Sequence, residues 1–225
     1  MINTLRLSDL QMSRMISGLI SDSDSIGESF ARSVWSLITE PGDSFASALI
    51  STLGAKEALV AEVNRISAAQ YIKLIKAAGF SDETGDRFKN LDRLLPDARE
   101  RWQPRLKLAN VESMLSAARN CKAKLITPDS ELWPEQLHDL KLGVPHCLWL
   151  RGEADKLASS AWSLAIVGSR MATSYGEWAT TEIVSAASVE GLAVISGGAY
   201  GIDAISHRAA LALQLPTIAI MAGGV

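Results

Sequence analysis

Two glycine-containing loops carry the residues of this chain whose types and spacing suit the binding of a phosphate. The first loop follows the apolar run 164–167 and starts with Gly168, Ser169 and Arg170. Glycine permits a sharp turn and a close backbone approach, while the hydroxyl and the planar guanidinium donate hydrogen bonds to phosphate oxygens. These three residues predict an anion-binding loop that needs neither a metal nor a cofactor.

A second loop of the same kind follows the apolar run 192–195. It contains small residues and one tyrosine, namely Ser196, Gly197, Gly198, Tyr200 and Gly201. Asp203 comes next, in the first turn of a predicted helix, where a carboxylate suits the helix dipole. Neither loop matches the dinucleotide-binding fingerprint or a Walker A loop. Because ligands gather at the carboxyl ends of parallel strands, we expect both loops to contribute to one site.

The elements that must position these loops alternate between strand and helix from residue 111 onward. Strands are predicted at 124–127, 147–150, 164–167, 192–196 and 217–221. A helix is predicted from Ser174, whose spacing to Glu177 is typical of a capping box, to about Glu190. This alternation predicts a parallel-sheet domain over 111–225, so the predicted fold class is α/β.

The N-terminal half shows helical spacing instead. Apolar residues first follow the i, i+3, i+4, i+7 pattern at Ala31, Val34, Trp35 and Ile38. The pattern recurs at 45–52 and at 68–75. These stripes predict the buried faces of short helices in a small domain of sterile-alpha-motif (SAM) size over 26–110. A polar stretch before it predicts that residues 1–25 form a flexible or loosely helical lead-in.

Composition bounds the classes of protein that remain. The chain has 225 residues, 48% of them hydrophobic and 21% charged, with a net charge of −3. That charge argues against a surface that grips any polyanion, so nucleic-acid binding would have to come from a local pocket. No apolar run reaches the roughly 18 residues of a membrane helix, and the N-terminus lacks the layout of a signal peptide. We therefore expect a cytoplasmic protein without a membrane partner.

Cysteines, histidines and charge clusters predict no further chemistry. Cys121 and Cys147 are too few and too far apart for a zinc motif, and we interpret both as structural. The histidines show no ligand spacing, and His207 is expected to cap, pack or form a hydrogen bond rather than transfer protons. The basic stretch 87–107 has interleaved acidic residues, which predicts a solvated helix face. We predict no catalytic and no metal-binding residues.

Five short motifs resemble the DprA/Smf family of DNA-processing proteins. Three of them carry the loops: Val-Gly-Ser-Arg-x-Ala-Thr-x-x-Gly at 167–176, Ser-Gly-Gly-Ala-Tyr-Gly-Ile-Asp-Ala at 196–204, and His-Arg-x-Ala-Leu at 207–211. Two lie upstream: Trp-Pro-Glu-Gln-Leu at 133–137 and Cys-Leu-Trp-Leu-Arg-Gly at 147–152. The resemblance is specific from about residue 125 to residue 225 and much weaker before that region.

The resemblance implies a bacterial cytoplasmic protein that binds and protects single-stranded DNA and helps to load the recombinase RecA during transformation or recombination. The implied fold is an extended Rossmann domain preceded by a small helical domain. The implied phosphate contacts fall on Gly168, Ser169, Arg170, Ser196, Gly197, Gly198 and Gly201. Many members of the family have an arginine where this chain has Tyr200, so a cationic contact is replaced by a ring that could stack on a base.

The sequence reaches Val225 before any helix that would cover the predicted strand 217–221. We therefore expect a partial Rossmann-like domain that ends early. In the family, the remaining half brings further DNA contacts, the surface for a homodimer and much of the RecA-binding surface.

Two other functions stay open on the sequence. Nucleoside-monophosphate phosphoribohydrolases also hold a phosphate with glycine loops and use a Pro-Gly-Gly-x-Gly-Thr-x-x-Glu motif. The comparable stretch 221–225 here has alanine in place of the proline and no glutamate, so we predict that the chain is not an enzyme. The third reading is a helical interaction module on a vestigial Rossmann half, which would bind a partner but not DNA.

Overall fold

A computed structural model describes residues 8–21, 24–79, 88 and 90–222. The chain divides into two compact units. The helical unit comprises Met1–Trp133 and Leu137–Arg151, and the sheet unit comprises Pro134–Gln136 and Gly152–Val225.

The described part of the helical unit contains seven α-helices and one strand pair. The helices are α1 (Asp9–Ile16), α2 (Ile26–Ile38), α3 (Ser44–Leu53), α4 (Ala55–Val63), α5 (Ala68–Ala77), α6 (Leu91–Trp102) and α7 (Leu108–Asn120). The strands β1 (Lys124–Ile126) and β2 (Leu148–Leu150) are antiparallel, and a 3-10 segment, Glu135–Gly143, lies between them in sequence.

Short polar residues set the starts of several of these helices. The side chains of Ser8, Asp43 and Ser67 accept hydrogen bonds from the third residue of α1, α3 and α5, respectively. Such caps satisfy backbone donors that the helix itself leaves free. Gly54, at φ +84°, ends α3 and begins α4, so the chain turns sharply between them.

Aromatic residues fill the centre of the helical unit. Trp35 is fully buried in α2, and its ring meets the ring of Trp102 edge to face with centroids 5.2 Å apart. The indole nitrogen of Trp35 donates to the Ala55 carbonyl at 3.1 Å, so the polar atom of this buried ring is paired. All four residues of the first predicted stripe (Ala31, Val34, Trp35 and Ile38) are buried, which confirms their interpretation as core.

One residue of the basic stretch 87–107 behaves differently from the expected solvated face. Arg99 is mostly buried and donates through Nε to Glu62 at 2.9 Å and through Nη2 to the Ile66 carbonyl at 2.7 Å. Glu62 also accepts the Tyr71 hydroxyl at 2.6 Å. Burial and the Glu62 carboxylate both raise the pKa of Tyr71. For Arg99 the expectation of a solvated side chain is therefore wrong, because a buried carboxylate on α4 requires a cation.

The sheet unit contains three parallel strands in sequential order: β3 (Ser163–Ala165), β4 (Ala193–Ser196) and β5 (Thr217–Ala219). Each crossover is a helix, α8 (Ser174–Val189) after β3 and α9 (Ile202–Ala212) after β4. A small core of Ile166, Val184, Val194 and Ala210 lies between the sheet and these helices. This arrangement confirms the predicted α/β class.

Helix α8 begins at Ser174, as predicted, but its N-cap differs by one residue from the predicted capping box. Thr173, not Ser174, is the N-cap, and its hydroxyl accepts the Gly176 amide at 3.2 Å. The C-terminal end agrees better, because the helix ends at Val189 and Gly191 follows at φ +66°.

The division into units differs from the predicted boundaries near residues 26 and 110. Strands β1 and β2 pair with each other and not with the parallel sheet. Leu125 and Cys147, from these two segments, belong to the helical core, and the Leu125 amide donates to Leu19 at 2.7 Å. Helix α1 also buries Met12 and Ile16 in that core, so the described part of the lead-in is packed. The boundary therefore falls at Gly152, two residues after the end of the predicted strand 147–150.

Within the described ranges, no helix has the length and apolar character needed to cross a membrane.

Candidate phosphate-binding cleft

A cleft of about 470 Å³ opens in the sheet unit where β3, β4 and β5 end. Four of the predicted site residues line it: Gly168, Arg170, Ser196 and Gly197. Asp203, from the first turn of α9, lines it as well. Ser169, Gly198, Tyr200 and Gly201 belong to the same two loops but are not part of the lining. The structure therefore confirms that both loops meet at one place.

Glycines allow the two loops to touch each other. A Cβ atom on Gly201 would stand 2.2 Å from the Ser169 carbonyl oxygen, and Gly201 has a φ of +77°. A Cβ atom on Gly168 would stand 2.6 Å from a side-chain carbon of Ile202. The Ile202 amide donates to the Ser169 carbonyl at 3.1 Å. At these positions, glycine serves the contact between loops, whereas the sequence suggested an approach to a ligand.

The two predicted serine hydroxyls are engaged within the protein. Ser196 is buried, and its hydroxyl donates to the Ile166 carbonyl at 2.6 Å. Ser169 is exposed, yet its hydroxyl donates to the Met171 carbonyl at 3.0 Å and accepts a hydrogen bond from the Met171 amide at 3.1 Å. These hydroxyls shape the strand end and the first loop, so the side-chain donor that remains at the cleft is Arg170.

Arg170 is exposed and makes no hydrogen bond or ion pair with any residue that the structure describes. A planar guanidinium in that state has its full set of donors available to a ligand. Its position in the lining of the cleft makes it the cation that an anionic ligand would meet.

Free backbone donors occur in the second loop, of which Gly197 and Ala199 line the same cleft as Arg170. In the described part of the chain, no hydrogen bond is donated by the amide groups of five consecutive residues, Gly197, Gly198, Ala199, Tyr200 and Gly201. The run leads into the N-terminus of α9, where the helix dipole adds positive potential. Consecutive free amides before a helix are the features that phosphate-binding loops use.

Tyr200 projects from the second loop with 85% of its surface exposed. The ring is therefore accessible to a planar partner. Gly198, two residues earlier, has its Cα beside the side chain of Met221, because a Cβ there would stand 3.1 Å from the sulfur atom.

Two further residues at the loops were not assigned to the site from the sequence. Asp203 is buried in the cleft wall, and a Cβ on Gly197 would stand 2.7 Å from its carboxylate oxygen. His207 contacts both the second loop and β5: Nε2 lies 2.9 Å from the Gly197 carbonyl oxygen and Nδ1 lies 2.7 Å from the Thr217 hydroxyl. The spacing of these residues from the glycines was visible, but the contacts require the folded loop.

Metal coordination finds no support in the described residues, which contain no group of three or more His, Cys, Asp or Glu side chains arranged around a common point. The groups of the cleft suit an oxyanion held by a guanidinium and by backbone amides.

Known proteins with similar sequences match the C-terminal part of the chain. Residues 124–225 match the family model described as DNA recombination-mediator protein A. The chain is 40% identical over 113 residues to the putative DNA processing protein DprA of Mycobacterium tuberculosis H37Rv. This alignment covers 45% of this chain and 28% of that protein. It is 35% identical over 115 residues to protein Smf of Escherichia coli K12, covering 51% of this chain and 30% of that protein. By these matches, residues 124–225 are similar in sequence to the DprA/Smf family.

The solved structure of DNA processing protein A from Streptococcus pneumoniae aligns with 84% of this chain and 55% of that chain, at 19% identity and a TM-score of 0.49. The matched region spans less than a third of the length of the two relatives named above.

Proposed function

We propose that this chain binds single-stranded DNA by holding backbone phosphates in the cleft. The observation that carries this proposal is the unpaired guanidinium of Arg170 in a cleft that Gly197 and Ala199 also line. These two belong to the run 197–201, whose amides donate no hydrogen bond in the described part of the chain. A phosphate diester offers two oxygens that can accept from both kinds of donor. Backbone contacts of this kind hold a strand without reading its sequence.

The low net charge of the chain favours DNA binding at a local site over general attraction of nucleic acid. A net charge of −3 gives no long-range attraction for polyanions, so affinity must come from the few donors of the cleft. The exposed ring of Tyr200 can stack on a base, a contact typically worth about 1–3 kcal/mol per base. Unpaired bases offer that face and duplex bases do not, which supports a preference for single strands.

The role that we propose in the cell follows the family. We propose that the chain protects single-stranded DNA, acts in transformation or recombination in the cytoplasm, and assists the loading of RecA, with a homodimer as its assembly. Similarity of residues 124–225 to a family described as recombination mediators supports these proposals. Co-sedimentation of RecA with the chain on a single-stranded oligonucleotide tests the partner, and sedimentation velocity of the chain alone tests the dimer.

A binding role fits the cleft better than a catalytic one. The lining has one carboxylate, Asp203, and its basic group is a guanidinium that stays charged at neutral pH. Neither an activated nucleophile nor a paired acid and base is present among the described lining residues.

The test compares a labelled single-stranded oligonucleotide with the matching duplex by fluorescence anisotropy at fixed salt. We expect tighter binding of the single strand, and about a tenfold loss for Arg170→Ala because one charge-assisted contact is removed. Arg208→Ala is the matched control, since Arg208 is exposed on α9 and is not in the cleft lining. Equal affinities of the wild type and Arg170→Ala would contradict the proposal.

A further inference from the structure

The carbonyl oxygen of Gly197 is hydrogen-bonded to His207 from α9. The 2.9 Å contact joins Gly197 O to His207 Nε2. Because a carbonyl oxygen only accepts, the proton of this bond must be on Nε2. The other ring nitrogen contacts the Thr217 hydroxyl at 2.7 Å, so the imidazole is held at both ends.

This bond fixes the direction of the next amide. The peptide bonds of the described residues are all trans. In a trans peptide, the C=O of one residue and the N–H of the next point in opposite directions. With the Gly197 oxygen turned towards His207, the Gly198 N–H is turned away from the ring. Gly197 lines the cleft, whereas His207 and Gly198 do not. The Gly198 N–H, on the side of the peptide opposite the histidine, donates to no described residue and is therefore available to a ligand that contacts Gly197.

A peptide between two glycines has little steric resistance to rotation. Neither Gly197 nor Gly198 carries a Cβ, and glycine populates both halves of the φ range. If this peptide rotated by half a turn, its carbonyl oxygen would replace the Gly198 N–H on that side. A carbonyl oxygen directed at a phosphate is repulsive, whereas an N–H attracts it. The affinity of the loop for anions therefore depends on what holds the peptide.

We infer that His207 is a positioning residue that holds the Gly197–Gly198 peptide in its anion-accepting orientation. The inference rests on the proposed function of the cleft as a phosphate site and adds the residue that keeps it competent. His207 contributes no direct contact to the ligand. It acts through the Gly198 amide, so loss of His207 should change how that amide responds to phosphate.

The experiment titrates the ¹⁵N-labelled 225-residue chain with inorganic phosphate and follows the Gly198 amide resonance. For the wild type, we expect a saturable shift. For His207→Asn, whose shorter amide keeps polarity but does not reach Gly197, we expect about a tenfold weaker response, the value of one lost charge-assisted hydrogen bond. For His207→Gln, whose side-chain nitrogen can take the place of Nε2, we expect affinity within about threefold of the wild type.

Val184→Ala is the control for lost packing, because Val184 is buried in the core of the sheet unit and does not line the cleft, so its truncation destabilises without removing a contact to Gly197. Unchanged phosphate affinity in this variant supports the inference. Equal affinities of His207→Asn and His207→Gln, or a wild-type Gly198 amide that does not respond to phosphate, would overturn it. A His207-dependent phosphate response without oligonucleotide binding would sustain the inference and remove the single-stranded DNA proposal.

Discussion

The amide of Ile202 donates to the carbonyl of Ser169 at 3.1 Å, which joins the start of α9 to the loop that follows β3. The contact is possible because residue 201 is a glycine whose Cα lies against that same carbonyl. The two loops of the cleft are thus connected through backbone atoms.

Gly201→Ala is expected to destabilise the sheet unit strongly. The added Cβ would stand 2.2 Å from Ser169 O at a φ of +77°, so the loops must separate. We expect a loss of at least about 2 kcal/mol in the free energy of unfolding, measured by urea denaturation. Gly191→Ala is the control, because its φ is +66° but its Cβ would meet nothing within 4 Å. It should cost only about 1 kcal/mol. Equal losses would show that the loop contact does not matter.

Removal of the Glu62 carboxylate is expected to destabilise the helical unit. In Glu62→Ala, the mostly buried Arg99 loses its partner at 2.9 Å and Tyr71 loses its acceptor at 2.6 Å. Breaking a buried pair typically costs about 3–5 kcal/mol. The comparison is Arg105→Ala, which removes the exposed pair with Glu40 and should cost less than about 1 kcal/mol. Guanidinium denaturation of both variants measures these losses of stability. Similar denaturation midpoints for the two variants would refute the prediction.

Acid is expected to weaken the helical unit through His146. Burial, with a further contribution from Arg32, lowers the pKa of His146 from 6.5 to about 4. Between pH 6.5 and pH 4 the unfolded chain binds this proton and the folded chain does not, so stability falls as the pH falls through that window. The loss by pH 4 amounts to about 3 kcal/mol. In His146→Gln, the slope of unfolding free energy against pH should flatten over this range. An unchanged slope would rule out His146 as the cause.

The two cysteines are expected to differ in reactivity. Burial raises the pKa of the Cys147 thiol to about 11, and the residue is buried in the helical core. Few thiolates form at pH 8 and the reagent cannot reach them, so native Cys147 should resist a chromogenic disulfide reagent. Cys121 is only partly buried. Cys121→Ser should therefore be nearly silent when native and should release one equivalent when unfolded. A rapid native reaction of that variant would contradict the burial of Cys147.

Oligonucleotide affinity is expected to fall with salt and to be nearly indifferent to base sequence. Both effects follow from contacts to phosphates, which release counterions and carry no sequence information. Equal-length homopolymers compared at several salt concentrations give the measurement. A strong preference for one base would indicate that Tyr200 or Asp203 reads the bases instead.

Local signals in the sequence predicted much of the sheet unit and less of the unit boundaries. Strand, glycine loop and helix follow one another in sequence, so β3, α8 and β4 were predicted with errors of at most two residues at each end, and α9 was predicted from the position of Asp203 in its first turn. The pairing of β1 with β2 joins segments more than twenty residues apart in an antiparallel ladder, for which no local pattern exists. Helix α7 and this strand pair both place residues beyond 110 in the helical core.

The sequence predicted that the two loops meet, but it did not predict which contacts their atoms make. Glycines and Arg170 identify a strand-end loop by residue type alone, and the structure brings both loops together. Which atoms remain available is decided by packing. The Ser196 hydroxyl is taken by Ile166, and the role of His207 depends on a carbonyl ten residues away, so neither could be read from spacing.

Because the loops are joined by main-chain atoms, the side chains of Arg170 and Tyr200 have no part in the joint. Substitutions at these two positions can alter which ligand the cleft prefers while the backbone contact between the loops stays intact. The same architecture could therefore diversify its ligands at little cost to folding, which makes positions 170 and 200 the natural places to engineer a changed specificity.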